Sequence, residues 1–104
     1  GSCMSFVEMR TYDLKVGSAG QYGELYRNEG YAIQSGHLGE PVGYYVTEVG
    51  ELNQIIHMWK YESFEERTEK RTALFADPVW LAYVAKVGPM VLKQKNMFLF
   101  DVLS

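Results

Sequence analysis

A single cysteine, Cys3, is all the thiol chemistry this sequence holds. One thiol cannot close an internal disulfide, and with no companion for metal or redox work it reads as inert. A reducing, cytoplasmic setting is the expectation that follows. No apolar run approaches the roughly 18 residues that span a bilayer, and the first residues lack the basic-then-apolar pattern of a secretory signal. Charge of one sign is scarce too. The formal net charge is −3, from 13 acidic and 10 basic residues without blocks, which argues against nucleic acid or an anionic membrane as a partner. Glycine-rich phosphate loops, a Ser-His-Asp order, internal repeats and low-complexity tracts are all missing. The histidines, His37 and His57, stand far apart with no third ligand at usual spacing, so neither a metal nor a cofactor is expected.

What the sequence has in excess is aromatic side chain, 14% of residues with eight tyrosines in a chain of 104. A domain of this size buries only ~65% of the surface its unfolded chain exposes. So much aromatic surface therefore points to an interface or a lined cavity. Gly1 and Ser2 resemble a tag-cleavage scar, so residues 1–4 are read as a scar and disordered start, and residues 5–104 as a single domain.

The stretch 53–61 reads as a strand covered on both sides. Counting by twos puts Asn53, Ile55, His57, Trp59 and Tyr61 on one face and Gln54, Ile56, Met58 and Lys60 on the other. The aliphatic set is expected under helices, which leaves the aromatic, hydrogen-bonding set as the candidate site. The stretch 6–14 repeats the pattern, with Phe6, Glu8, Arg10 and Tyr12 against Val7, Met9 and Thr11. Ser18 with Gln21 forms a capping-box pattern that opens a helix through Tyr22, Leu25, Tyr26, Tyr31 and Ile33. Gly20 and Gly23 each weaken it by about 1 kcal/mol, so packing must hold it, and turn residues at 35–41 end it. Strands at 42–49 and 53–61 make a hairpin across Gly50. Ser63 with Glu66 caps a helix running to about Ala76, with Phe64, Leu74 and Phe75 inside. Its charges, Glu65, Glu66, Arg67, Glu69, Lys70 and Arg71, read as a solvated face. Asp77 and Pro78 start another helix with the stripe Val79, Trp80, Tyr83, Val84 and Val87, and Gly88-Pro89 stops it. A last strand is expected at 95–103.

The fold class that follows is α+β, a ferredoxin-like βαββαβ arrangement with a four-stranded antiparallel sheet and its helices on one face. The other face is expected to carry Tyr12, Ile55, Trp59, Tyr61 and either Phe98 or Tyr45. A patch of that size is seldom left to water. A homodimer packed through the open sheet face, with a cavity between each sheet and its cover, is therefore expected.

Short motifs point the same way. Glu8-Met9-Arg10-Thr11-Tyr12, Leu14-Lys15-Val16-Gly17, His37-Leu38-Gly39, Val42-Gly43-Tyr44-Tyr45, Thr47-Glu48-Val49-Gly50, Leu52-Asn53-Gln54, His57-Met58-Trp59 and Asp77-Pro78-Val79-Trp80 resemble the NIPSNAP family in their order and spacing. The resemblance runs from about residue 7 to residue 100, with the family's bacterial-type members. It implies a dimeric α+β barrel, akin in fold to cofactor-free quinone monooxygenases and chlorite-dismutase-like proteins. It implies a fold and an assembly rather than a reaction.

His57 is a general base or a hydrogen-bond donor to a ligand, or else a cavity histidine satisfied by a neighbour. Arg10 either holds a carboxylate or phenolate in its fork or pairs with Glu8 or Glu48. Trp59, Tyr12 and Tyr45 stack on a planar ligand or pack at a seam. Glu48 is a shifted acid or a rim charge, and Glu8 and Asn53 complete the polar cavity-binding set. His37, in a turn, is structural or a second-line candidate. Two functions stay open: a small-molecule binder or enzyme acting on an aromatic or acidic molecule, with cofactor-free monooxygenase-like chemistry as its catalytic form, and a non-catalytic homodimeric module. Haem handling would rest on fold analogy alone.

Overall fold

Period-two alternation builds two long strands side by side, and everything else in the chain is arranged over or beside them. The computed structural model describes residues 5–103; Cys3 and the expected scar at residues 1–4 lie outside the described residues. The elements are β1 (Phe6–Leu14), α1 (Ala19–Leu25), a π-helical turn (Tyr26–Gly30), α2 (Tyr31–Leu38), β2 (Gly43–Val46), β3 (Gln54–Tyr61), α3 (Phe64–Phe75), α4 (Pro78–Val87), a 3-10 turn (Gly88–Met90) and β4 (Val91–Leu99). The strands pair antiparallel in the order β2-β3-β1-β4, which is the ferredoxin-like α+β arrangement. No helix among the described residues is long and apolar enough to cross a membrane.

Local chemistry sets most boundaries. Ser63 Oγ accepts from Glu66 N–H at 3.0 Å, and the Glu66 carboxylate takes the Glu62 N–H at 2.5 Å, so the first turn of α3 is capped from both sides. Asp77 Oδ1 accepts from Val79 N–H at 2.9 Å, with Pro78 as the first residue of α4. The expected Ser18 capping box does not form. Ser18 already has helical backbone angles, φ −87° and ψ −12°, whereas a capping side chain reaches back from an extended residue. The hairpin strand β2 stops at Val46, short of residue 49, because Gly50 (φ 91°) and Asn53 (φ 61°) turn the loop before β3. The last strand also lies earlier than residues 95–103. Its ladder ends at Leu99 opposite Val7, one residue from the start of β1, where partners run out.

The larger correction concerns the sheet faces. Phe6, Glu8, Arg10 and Leu14 of β1 and Ile55, His57, Trp59 and Tyr61 of β3 are buried beneath the chain's own helices. The half-buried Val7, Met9, Ile56 and Met58 lie on the open face, with exposed Tyr45, Met97 and Leu99 across the ladders. The helices explain the reversal. They bring Tyr22, Tyr26, Trp80 and Tyr83 down onto the sheet, and such large rings are matched by the aromatic face rather than by the narrower aliphatic one.

Gly30 closes the π-helical turn where the backbone meets another helix. A Cβ there would sit 2.6 Å from Tyr83 Cζ and 2.8 Å from Tyr26 Cδ1, whereas one on Gly36 in α2 would meet open space. Substituting the two glycines should therefore give opposite signs in urea denaturation. Gly30→Ala should lose about 1–2 kcal/mol through overpacking, and Gly36→Ala should gain up to about 1 kcal/mol through helix propensity. Equal midpoints for the two variants would contradict this packing.

Candidate functional site

Strand register assembles the site. Arg10 of β1 stands opposite His57 of β3, Tyr44 of β2 opposite the other side of His57, and Asn96 of β4 opposite Arg10. A row Tyr44, His57, Arg10, Asn96 thus crosses all four strands on the helix-covered face. The ring of Tyr44 stacks on His57 at 4.5 Å between centroids, and on its other side Tyr44 stacks on Tyr26 at 3.8 Å. The Tyr12 ring meets the imidazole edge-on at 4.9 Å.

The tautomer of His57 follows from its neighbour. Trp59 Nε1–H donates to His57 Nδ1 at 2.6 Å. An indole N–H has no acceptor capacity, so Nδ1 must be unprotonated and the neutral ring carries its proton on Nε2. That Nε2 is buried and meets no partner. Burial first, and then the charges of Arg10 and Arg71, push the imidazole down from its ordinary 6.5 to about 3. His57 is therefore a neutral, fixed hydrogen-bond donor at physiological pH. Of its alternatives, the general base is disfavoured: one ring nitrogen is occupied and the other already holds the proton.

Behind this row lies a cationic cluster around Glu8, whose side chain is fully buried at 0% exposure. Arg67 grips it with Nε to Oε1 at 2.8 Å and Nη2 to Oε2 at 3.0 Å, and Arg10 Nη1 adds a third bond to Oε2 at 3.0 Å. Burial pushes the Glu8 carboxyl up, but the Arg67 hydrogen bonds and the charges of Arg10, Arg67 and Arg71 outweigh it, leaving it below the usual carboxylate range. Arg10 also donates through Nε to the Tyr12 hydroxyl at 3.1 Å. Arg71 has no carboxylate partner among the described residues; its guanidinium lies 5.2 Å from the Phe75 ring centre, and burial followed by repulsion from Arg10 lowers its pKa.

These groups open into a cavity of about 450 Å³ between the sheet and the helices. Arg10, Tyr12 and His57 line it from β1 and β3, and Arg71, Trp80 and Tyr83 from α3 and α4. At the far end the Tyr22 and Tyr44 hydroxyls share a hydrogen bond at 3.2 Å. Burial pushes Tyr22 up to about 12 and raises Tyr44 and Tyr83 as well, so these phenols stay neutral. Gln34 Oε1 and Trp80 Nε1, also on the cavity wall, are buried without partners. Tyr44 is at the same time a wall of a second cavity of about 320 Å³.

Of the residues singled out in the sequence, Arg10, Tyr12 and His57 meet at the cavity, and Glu8 and Trp59 hold them from behind. The others lie elsewhere. Tyr45 points to the open sheet side, because it neighbours the inward Tyr44 on the same strand, and touches only the smaller cavity. Glu48 is exposed in the hairpin loop. Asn53 closes a turn, its Oδ1 accepting from Gly17 N–H at 3.2 Å and its carbonyl from Leu14 N–H at 2.8 Å. His37 joins Asp77 at 2.9 Å and ties the end of α2 to the start of α4. The solvated reading of α3 holds for Lys70, paired with Glu66 at 2.9 Å, and fails for Arg67 and Arg71. Their signal was in the spacing: Phe64, Arg67, Arg71 and Leu74 fall on one helical stripe. Tyr44, Tyr22, Tyr83 and Gln34 had no such signal, since their role depends on how separate elements meet.

The family model described as NIPSNAP matches residues 7–103. A protein of Dictyostelium discoideum called Protein NipSnap homolog is 42% identical over 79 residues, 76% of this chain and 34% of that protein. The chain thus spans about a third of that relative's length. Among solved structures, a nipsnap family protein with unknown function from Agrobacterium tumefaciens superposes with a TM-score of 0.91 at 37% identity, covering 100% of this chain and 97% of the other. A protein from Nitrosomonas europaea, named as a proposed antibiotic biosynthesis monooxygenase, reaches 0.68 at 10% identity over 98% of this chain and 94% of its own. That likeness is one of fold alone.

The depressed imidazole gives a pH signature. Unfolded His57 takes its proton near 6.5 and folded His57 only near 3, so between these values the unfolded state binds more protons and stability falls as the pH drops. Long-range ¹H–¹⁵N spectra should show His57 as the Nε2–H tautomer, unchanged from pH 8 to about 5. In acid denaturation the loss of stability below 6.5 should be shallower for His57→Gln. An imidazole that titrates near neutrality would refute the buried neutral donor.

Proposed function

The chain belongs to the NIPSNAP family, and from that premise we propose that it binds a small aromatic or acidic molecule in the cavity beneath its helices and works as a homodimer. The observation that carries the first part is His57, 1% exposed, which lines the cavity together with Arg10 and whose buried Nε2–H has no partner. Leaving a buried donor unused costs about 1–3 kcal/mol, and a ligand oxygen placed there would recover that cost. Aromatic walls from Tyr12, Tyr44 and Trp80 suit a flat molecule.

The chemistry these groups favour is stabilisation of negative charge. A fixed neutral donor and a guanidinium lining the same cavity from facing strand positions would act on an enolate or phenolate as an oxyanion site does. His57 is already protonated at its free nitrogen and Glu8 is consumed by arginines, so neither serves as a base. A substrate suited to cofactor-free monooxygenase-like chemistry would therefore enter already ionised. The same side chains also serve a binder that catalyses nothing.

The second part rests on the open sheet face. Met9, Ile56 and Met58 lie at its centre, and a second copy is the cover this reading assigns to them. The non-catalytic alternative, a homodimeric interaction module, draws on that face alone. A cytoplasmic setting remains the reading that the cysteine-poor sequence favours.

Two measurements test these parts. Thermal shifts over a panel of phenols, quinones and carboxylates should be positive for some members with wild type and reduced in His57→Ala and Arg10→Ala; a flat panel for all three proteins would end the small-molecule reading. Sedimentation at micromolar concentration should give a dimer for wild type and a monomer for Ile56→Lys, while a wild-type monomer would end the dimer reading.

A further inference from the structure

Building on the small-molecule reading, we propose that the ligand is an organic carboxylate, its anionic group held between the Arg10 and Arg71 guanidiniums and accepting from His57 Nε2–H, with its apolar body along α4. The first ground is a charge imbalance. Three guanidiniums, those of Arg10, Arg67 and Arg71, gather around one carboxylate, and both oxygens of Glu8 are taken by Arg67 and Arg10. Arg71 is left without an ion pair among the described residues although it lines the cavity. A half-buried guanidinium that feels Glu8 only at a distance and is repelled by a second guanidinium gains from an anion that joins the two.

The second ground is the sign of the hydrogen bonding. At this end of the cavity Arg10, Arg71 and His57 Nε2–H are all donors. A carboxylate only accepts, so it can meet every one of them, whereas an amide or alcohol spends part of its capacity donating. Guanidinium forks match the flat, two-oxygen geometry of a carboxylate. The third ground is what lies beyond. Trp80, Val84, Val87 and Val91 continue the wall, an apolar surface that a small inorganic anion would leave unfilled.

Calorimetric titration with 2-naphthoate, its neutral isostere 2-naphthamide and inorganic phosphate separates the possibilities. Wild type should bind naphthoate at least about tenfold more tightly than naphthamide, and Arg71→Gln should lose about tenfold for naphthoate only, the scale of one hydrogen bond to a charged group. Arg71→Lys, which keeps the charge without the fork, should fall between. The His57 Nε2–H resonance should shift with naphthoate. Equal binding of the two aromatics with Arg71→Gln silent would overturn the carboxylate assignment and leave the pocket reading standing. Phosphate competing as strongly as naphthoate would overturn it as well. Absence of binding by either aromatic would bring down both this inference and the pocket reading on which it rests.

Discussion

The Glu8 carboxylate, buried among arginines, is the constraint from which the rest of the site follows. An isolated charge at that depth would neutralise or be expelled. It persists because Arg67 reaches down from α3 and Arg10 reaches along β1 to engage both oxygens. The pairing fixes where α3 sits over the sheet. It also fixes Arg10, whose remaining donors are then aimed at Tyr12 and the cavity. With both Glu8 oxygens engaged by these two, Arg71 one turn further along the helix makes no ion pair with it among the described residues and feels its charge only at longer range. The electrostatic character of the cavity is thus set by a residue that does not line it.

A second constraint acts at right angles to the first. The Tyr26, Tyr44 and His57 rings stack in sequence, with the indole of Trp59 locked onto the imidazole from the side. Large rings from α1, the π-helical turn, α3, α4 and three strands cannot fill the space between them as aliphatic side chains would, and the remaining space is the cavity. The same crowding removes water from His57, which is why burial is the leading cause of its depressed pKa and the arginine charges come second. Packing and electrostatics therefore cooperate to keep one imidazole neutral, in one tautomer, with one free N–H.

The sequence disclosed the element order, the caps at Ser63 and Asp77, and the grouping of Arg10 with His57 on one face of adjacent strands. It did not disclose which face that was. Both faces of β1 and β3 are largely apolar, so alternation carries no sign, and the polar residues among the aromatics suggested a surface awaiting a partner. Glu8, Arg10 and His57 are tolerable in the core because Arg67 reaches Glu8 across the fold and Trp59 meets His57 two residues along the same strand, and only the second pairing could be read from alternation. A clue was present in the helices: α1, the π-helical turn and α4 carry Tyr22, Tyr26, Trp80 and Tyr83, and aromatic helices need an aromatic floor. The register of β4 was hidden for another reason. Alternation continues through Phe98, Phe100 and Val102 past the point where β1 can supply a partner, and a strand ends where its ladder does.

Moving the cavity beneath the chain's own helices separates two roles that had looked like one. A cavity enclosed between two sheets would exist only in a dimer, and binding would then imply assembly. With Arg10 and His57 facing inward and Met9, Ile56 and Met58 facing outward, the proposed ligand and the proposed partner copy would address opposite sides of the same two strands. They remain mechanically close, since Ile56 and Met58 are the immediate chain neighbours of His57. A second copy pressed on the open face would load the peptide units that carry the imidazole, and any change in how β1 lies against β3 would move Arg10 relative to His57, its partner in the ladder. Association would then alter ligand affinity through strand geometry, without contributing a residue to the pocket.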